Sequence, residues 1–453
     1  MKYIKKAGMA GFLVLSILTL PFIADQAEAT TVNVIQYGAQ ADDNRLDTAA
    51  IQKAIDIVSE TGGTVDIPAG TFDIAVHSSG NGIVMKSNVQ LRMNAGTILK
   101  LRGAHLPSYR LISVSDVQNV KITGGTLVGD RTAHTGDDDE WGHGIHITGN
   151  ASSVYVNGVT AKNFSGDGFT IENNLDAVKK VPDKVKLDRV TADYNRRQGL
   201  SIIAGTNITI TNSTFKHTEG TPSSAGIALE RDKPYTLPLE NVVIQHNRIQ
   251  NNGGYGLIFA FSHHSRAEYN IIRSNKEGGV FLNSAHGHTL YGNKISRNGG
   301  HLSKPYLSSG VFIRGGENNV ISANDISQNA ERGVYALDHV NGNEIIHNNI
   351  TDNGHTAIET NDGNGLVIKN NHVSGTHDAV IIHNSSSSVV SNNGSSVSFI
   401  PPAEEPGPAA DSSSLEKEEI EEKIDRSDSL SRLKEALAEK SLPASLKRAI
   451  FMY

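Results

Sequence analysis

Cysteine is absent from the 453 residues. That excludes disulfides, cysteine-based metal sites and a thiol nucleophile. Tryptophan occurs once, at Trp141, and aromatic residues make up only 6% of the chain. The net charge of −7 shows no basic excess, which weighs against a nucleic-acid partner. It leaves an acidic polysaccharide open, because a local Arg/Lys cluster binds one regardless of the total. What the chain has in quantity is glycine, 44 residues, together with asparagine. This is the composition of short strands joined by tight turns.

The N-terminus has the pattern of a secretory signal: Lys2, Lys5 and Lys6, an apolar run from Gly8 to Ile23, and Ala27-Glu28-Ala29 as a cleavage site. Three regions are expected: a signal peptide over 1–29, one repeat domain over 30–400, and a linker with short helices over 401–453. The linker is the proline-rich run from Pro401 to Pro408. Extracellular location is expected, with no stable membrane insertion once the signal is removed.

Within the middle region, short strands return at a fixed interval. His143-Gly-Ile-His-Ile147, Asp167-Gly-Phe-Thr-Ile171, Gln198-Gly-Leu-Ser-Ile202 and Ala225-Gly-Ile-Ala-Leu229 share one shape. Their period-2 alternation marks half-buried strands. The glycine position recurs at 144, 168, 199, 226, 256, 279, 310 and 333, with alanine at 357 and 379. Intervals of 22 to 31 residues mean a solenoid, and the longer ones carry loops, concentrated between 168 and 256. A second strand precedes most of these, as in Val154-Tyr-Val156 and Ile208-Thr-Ile210. The recurring Asn247, Asn270, Asn293, Asn324, Asn348 and Asn371 are expected at left-handed turns and in stacked amide ladders.

Before the repeats, Thr31–Gln36 reads as a strand, and Thr48 to Val58 as a helix capped by Asp47 and stopped by Gly62-Gly63. Tyr37-Gly38, the Asp-rich turn, Thr48-Ala-Ala-Ile-Gln52 and Ile67-Pro-Ala-Gly-Thr-Phe72 resemble the opening of the pectate-lyase-like right-handed parallel β-helix superfamily. That superfamily includes polygalacturonase-type hydrolases and alginate C5-epimerases. The resemblance implies an all-β, single-stranded right-handed β-helix with an N-terminal α-helical cap, covering roughly residues 31–395.

The chemistry-bearing residues cluster between Trp141 and Asp232. In register, one outward column runs His146, Thr170, Ser201, Ala228, and the next runs Thr148, Glu172, Ile203, Glu230. The residues before the glycines form a third: His143, Asp167, Gln198, Ala225 and Tyr255. Two chemistries fit. Abstraction of a uronate C5 proton needs a neutralised carboxylate and a nearby base. Arg196 and Arg197 are the candidate neutralisers, alone or with Ca2+ held by carboxylates such as those of Asp137-Asp138-Asp139, and His143 or His146 the base. Glycoside hydrolysis needs two carboxylates, and Glu172 with Glu230, two rungs apart, approach the inverting separation; Asp167 with Glu172 sit at opposite ends of one strand.

The catalytic set read from the sequence is therefore Asp167, Arg196, Arg197, His143, His146, Glu172 and Glu230. Trp141, Arg131, Gln198, Arg231, Asp232 and His263 are the substrate-binding candidates, with Trp141 as a platform for a sugar ring. Neither catalytic motif of the resembling families is intact. The polygalacturonase rungs correspond to Trp141-Gly-His143, Gly166-Asp167-Gly168 and Arg197-Gln198-Gly199, with Gln198 where the family has histidine. The epimerase motif corresponds to Asp167-Gly-Phe-Thr-Ile-Glu172, with Asp167 and Glu172 where that family has tyrosine and histidine. The expected function is action on an extracellular, acidic polysaccharide by β-elimination or C5-epimerisation. Glycoside hydrolysis and non-catalytic glycan binding are the alternatives.

Overall fold

A computed structural model of the chain describes residues 30–400 apart from 104–105, 135–139, 174–179, 233–235, 301–307, 377 and 395. The expected signal peptide, the segment 401–453 and the acidic run Asp137–Asp139 lie outside the described residues. The described chain is a right-handed parallel β-solenoid. Its strands form three parallel sheets of 14, 13 and 12 strands. Each full coil contributes one strand to the 13-stranded sheet, then one to the 14-stranded sheet, then one to the 12-stranded sheet, as in Trp141–Thr148, Ser152–Asn157 and Thr160–Lys162. The 12-stranded sheet is invisible to alternation. Most of its strands are three residues long with a single inward side chain, such as Phe215 in Thr214–Lys216 or Ile249 in Arg248–Gln250.

The N-terminal cap is the helix Thr48–Thr61, which buries Ile51, Ala54, Ile55 and Val58 and packs against strands Thr30–Asn33 and Gly63–Ile67. Gly62 and Gly63, at φ 78° and 145°, end it. Two expectations change here. The residues after Asn33 turn into a short 3-10 helix, Val34–Tyr37, instead of continuing as strand. Asp47 does not cap the helix with its side chain. Its Oδ1 accepts from the Gln40 backbone N–H and its Oδ2 from that of Asp73, both at 2.9 Å, so it ties the cap to the first coils.

The repeating glycine has a steric cause. A Cβ at Gly144 would lie 2.5 Å from the Gly168 carbonyl oxygen, and one at Gly199 would lie 2.4 Å from that of Gly226. Each such position faces inward where the next coil's backbone approaches, so the period seen in the sequence is the period of that approach.

The asparagines divide their two expected roles. The left-handed conformation belongs to the residue before each one: His246, Tyr269, Ala323 and His347 have φ between 54° and 57°. The amide itself turns inward. Asn247 Nδ2 donates to Asn270 Oδ1 at 3.0 Å, and Asn270 repeats this with Asn293 at 3.0 Å. A second ladder runs through Asn252, Asn275, Asn298, Asn329 and Asn353 at the corner leading into the 13-stranded sheet. A third passes through Ser265, His288, Asn319 and Asn343. Buried amides are thereby satisfied without water.

Candidate functional site

The site is built on the outer face of the 13-stranded sheet. Its register agrees with the columns read from the sequence: His146 pairs with Thr170, Thr170 with Ser201, and Ser201 with Ala228. Thr148 pairs with Glu172. The connections into the strands beginning at Trp141 and Ile227, and those out of the strands ending at Glu172 and Glu230, are long ones. The expectation of an open outward face needs correction. Asp167 is 0% exposed, Gln198 1%, Ser201 0%, His143 2%, Arg197 3% and Glu230 5%. Alternation distinguishes the two faces of a strand but says nothing of what covers the outer one.

Beneath that cover is a continuous polar network. Arg197 Nε donates to Asp167 Oδ1 at 2.8 Å, and its Nη2 reaches Asp167 Oδ2 and, at 3.1 Å, Ser201 Oγ. Thr170 Oγ1 donates to Asp167 Oδ2 at 3.1 Å. Ser201 Oγ lies 2.8 Å from Gln198 Oε1 and 3.2 Å from Glu230 Oε1, and Gln198 Nε2 donates to Glu230 Oε1 at 3.0 Å. Arg197 Nη1 lies 3.8 Å from the same Glu230 oxygen. Burial alone would lower the Arg197 pKa. The charge and hydrogen bonds of Asp167, with Glu230 and Glu140, reverse that and hold the guanidinium protonated. Trp141 covers it, with the guanidinium carbon 4.9 Å from the ring centroid. One face of the Trp141 ring is thereby taken by Arg197.

The histidines form a second group. His143 and His146 stack at 5.7 Å, and His146 Nε2 lies 2.6 Å from Glu172 Oε1. Burial would raise the Glu172 pKa, but the hydrogen bond and charge of His146, with His143 and Arg197, bring it down to about 2. Burial, then the charges of His146 and Arg197, push His143 well below the usual imidazole range, so it is neutral. Its Nδ1 accepts from the Asp167 backbone N–H at 3.3 Å. Glu172 is the accessible member, with 24% of its side chain exposed.

Other candidates lie apart from this centre. Arg196 and Arg197 diverge: Arg196 packs at the sheet corner beside Gly220, where its charge acts on Arg131. Arg131 is committed to structure, donating to the Tyr194 carbonyl at 2.7 Å and to that of Glu219. Arg231, exposed Asp232 and His263 sit at the opposite edge, with Glu240. Glu172 and Glu230 do stand two rungs apart, yet they serve different partners, His146 and the Arg197 group. Two residues were missed. Arg110 pairs in register with His143 and acts on its charge. Glu140 is 5% exposed and acts on Arg197. Extending the pre-glycine column back one coil to the strand Ser108–Ser115 finds Arg110. Among the described residues, no group of three or more His, Asp or Glu side chains could hold a metal ion.

The fold is that of the right-handed parallel β-helix proteins. A family model described as "Right handed beta helix region" matches residues 236–394, the coils following the site. Among curated proteins, the chain is 27% identical over 334 residues to an exo-poly-alpha-D-galacturonosidase of Dickeya chrysanthemi, covering 66% of this chain and 52% of that protein. It is 28% identical over 260 residues to the mannuronan C5-epimerase AlgE2 of Azotobacter vinelandii, covering 51% of this chain and 26% of that one. It is 26% identical over 267 residues to the uncharacterized protein YclG of Bacillus subtilis, covering 51% of this chain and 45% of that protein. The chain thus spans about half the length, or less, of these curated relatives. Among solved structures, the A-module of the Azotobacter vinelandii epimerase AlgE6 superposes with a TM-score of 0.57 at 22% identity, over 82% of this chain and all of that module. A tailspike of E. coli bacteriophage HK620 reaches 0.63 at 14% identity, over 82% of this chain and 78% of that one. These likenesses establish the fold. Carbohydrate-active β-helix proteins are its relatives.

Among the described residues, no helix is long and apolar enough to cross a membrane.

Proposed function

We propose that this chain is a secreted enzyme that abstracts the C5 proton of a uronate within an extracellular polysaccharide, as a lyase or a C5-epimerase. The observation that carries the reading is the His146–Glu172 pair stacked against His143, whose neighbour in register one coil back is Arg110. In this reading His146 accepts the proton, with the partly exposed Glu172 carboxylate orienting the imidazole and offsetting the charge it gains. Arg110 meets the uronate carboxylate, which lowers the cost of charge developing at C5. Asp167, Arg197 and Glu230 act as a buried frame that fixes the coils on which these groups stand. Ca2+ is the alternative neutraliser, and a chelator separates the two.

What disfavours hydrolysis is the lack of an identified proton donor. A glycosidase needs one carboxyl kept protonated by a raised pKa. Glu172 is ionised down to about pH 2, and Asp167 and Glu230 accept hydrogen bonds from Arg197, Ser201 and Gln198. Hydrolysis of a polygalacturonate stays the second reading because the Dickeya relative bears that activity in its name and aligns over 66% of this chain.

The test is incubation of the protein with pectate, alginate and a neutral glycan, with and without chelator. A lyase produces the ultraviolet absorbance of an unsaturated uronate. An epimerase changes the proton spectrum of the intact polymer. New reducing ends without the absorbance mean the second reading is right, and no product from any polymer leaves a glycan-binding protein.

A further inference from the structure

The 12-stranded sheet carries a second feature that the site does not use. In its three-residue strands the middle side chain points inward, as Phe215, Ile249, Ile272 and Ile295 do, each 0% exposed. The flanking residues face outward in two columns. One column runs Thr214, Arg248, Ile271, Lys294, and the other Lys216, Gln250, Arg273, Ser296. The cations therefore alternate: Lys216, Arg248, Arg273 and Lys294 supply one positive charge per coil, on alternating sides. The step along the axis is about 4.8 Å and the columns lie about 6.6 Å apart. Arg297 adds a fifth, at the turn after Ser296, and Arg248, Arg273, Lys294 and Arg297 line one surface groove.

Three of these five charges are not spent within the protein. Among the described residues, no carboxylate lies within ion-pair distance of Arg248, Arg273 or Arg297. Arg273 and Arg297 each direct only Nε to a glutamine, Gln250 and Gln328, at 2.9 Å. Lys294 lies 3.9 Å from Asp325, while Lys216 is held by Asp193 at 3.3 Å. On a chain of net charge −7 this is a local reversal of sign. A random solvated surface has no reason to alternate its cations coil by coil.

We infer that this face is a binding track for an extended polyanionic glycan lying along the solenoid axis. A stretched polyuronate ribbon carries one carboxylate per sugar on alternating sides, which is the pattern of these cations. Asp325 and Asp352, at the far end of the groove, mark where the track stops. The track shares its ligand class with the proposed reaction but rests on this sheet's own charges, and it is tested by binding rather than turnover.

The experiment is titration of the full chain with polygalacturonate and with a neutral glycan, at low and high salt. Native protein is expected to bind the polyanion salt-dependently and the neutral glycan weakly. Combining Arg248→Ser, Arg273→Ser and Lys294→Ser is expected to weaken polyanion binding roughly tenfold, while turnover of a short oligouronide is unchanged. Asp325→Asn, which frees Lys294 and removes a repelling charge, is expected to tighten it. Undiminished affinity in the triple variant overturns the track, as does equal binding of the neutral glycan or weaker binding by Asp325→Asn.

Discussion

Asp167 and Arg197, on successive coils, form a two-pronged pair that solvent does not reach. The pair comes from two turns leading into neighbouring strands, so it clamps one coil to the next. Removing Asp167 leaves the guanidinium buried with Glu230 at 3.8 Å as a poorer partner. Breaking one side of such a buried pair costs about 3–5 kcal/mol. Asp167→Ala is expected to lower the melting temperature sharply, read by thermal unfolding. A merely local role in catalysis would leave that temperature in place.

Glu172→Gln tests the His146–Glu172 pair. It keeps the shape and removes the charge that His146 faces at 2.6 Å. Turnover is expected to fall about 10²–10⁴-fold, the usual worth of a positioned acid or base. Arg110→Gln is expected to lower turnover as well, and less so on a methyl-esterified polymer, whose carboxyl groups carry no charge. Equal losses on both polymers would remove Arg110 from the carboxylate-binding role.

Acid sensitivity has a traceable part at His288. Burial pulls its pKa to about 4, against an ordinary 6.5, and its backbone hydrogen bonds to Ser262 and Ser265 offset this only partly. The folded state therefore binds fewer protons than the unfolded chain between those values. Its contribution is complete above pH 6.5 and drains away as pH falls toward 4, by roughly 3 kcal/mol in all. Nδ1 of His288 accepts from the Ser265 N–H at 3.1 Å, where Asn319 and Asn343 present Oδ1 in the next coils. His288→Asn is expected to keep the ladder and flatten this part of the profile, measured by urea unfolding at pH 7 and pH 4.5.

Gly199→Ala tests the close approach of coils. The new methyl would lie 2.4 Å from the Gly226 carbonyl oxygen, with Phe215 at 3.1 Å. Overpacking of this kind costs about 1–3 kcal/mol. Thermal unfolding of the variant checks it, and an unchanged midpoint would mean that neighbouring coils slide apart freely.

Much of this was legible in the sequence. The glycine interval and the alternation around it located the coils, and the columns His146–Thr170–Ser201 and Thr148–Glu172 fell in the register observed. Both follow from local backbone needs that each coil repeats. What was not legible depends on three dimensions. Nothing in the order of residues tells that Trp141 lies over Arg197, that Arg196 turns away to the corner beside Arg131, or that Asp47 bonds to Gln40 and Asp73 instead of its own helix. The third sheet escaped notice because one inward residue per strand leaves no alternation to see.

The inward amide ladders also govern how the molecule yields to force. Asn270 bonds to Asn247 on one side and Asn293 on the other, and the next coils repeat the arrangement. A pull on one end loads only the terminal coil's bonds, and the rest of the stack stays shielded until that coil peels away. Stretching is expected to give a train of similar, modest force peaks, one per coil. A polymer gripped along the solenoid would bridge several coils and turn that train into a single larger rupture.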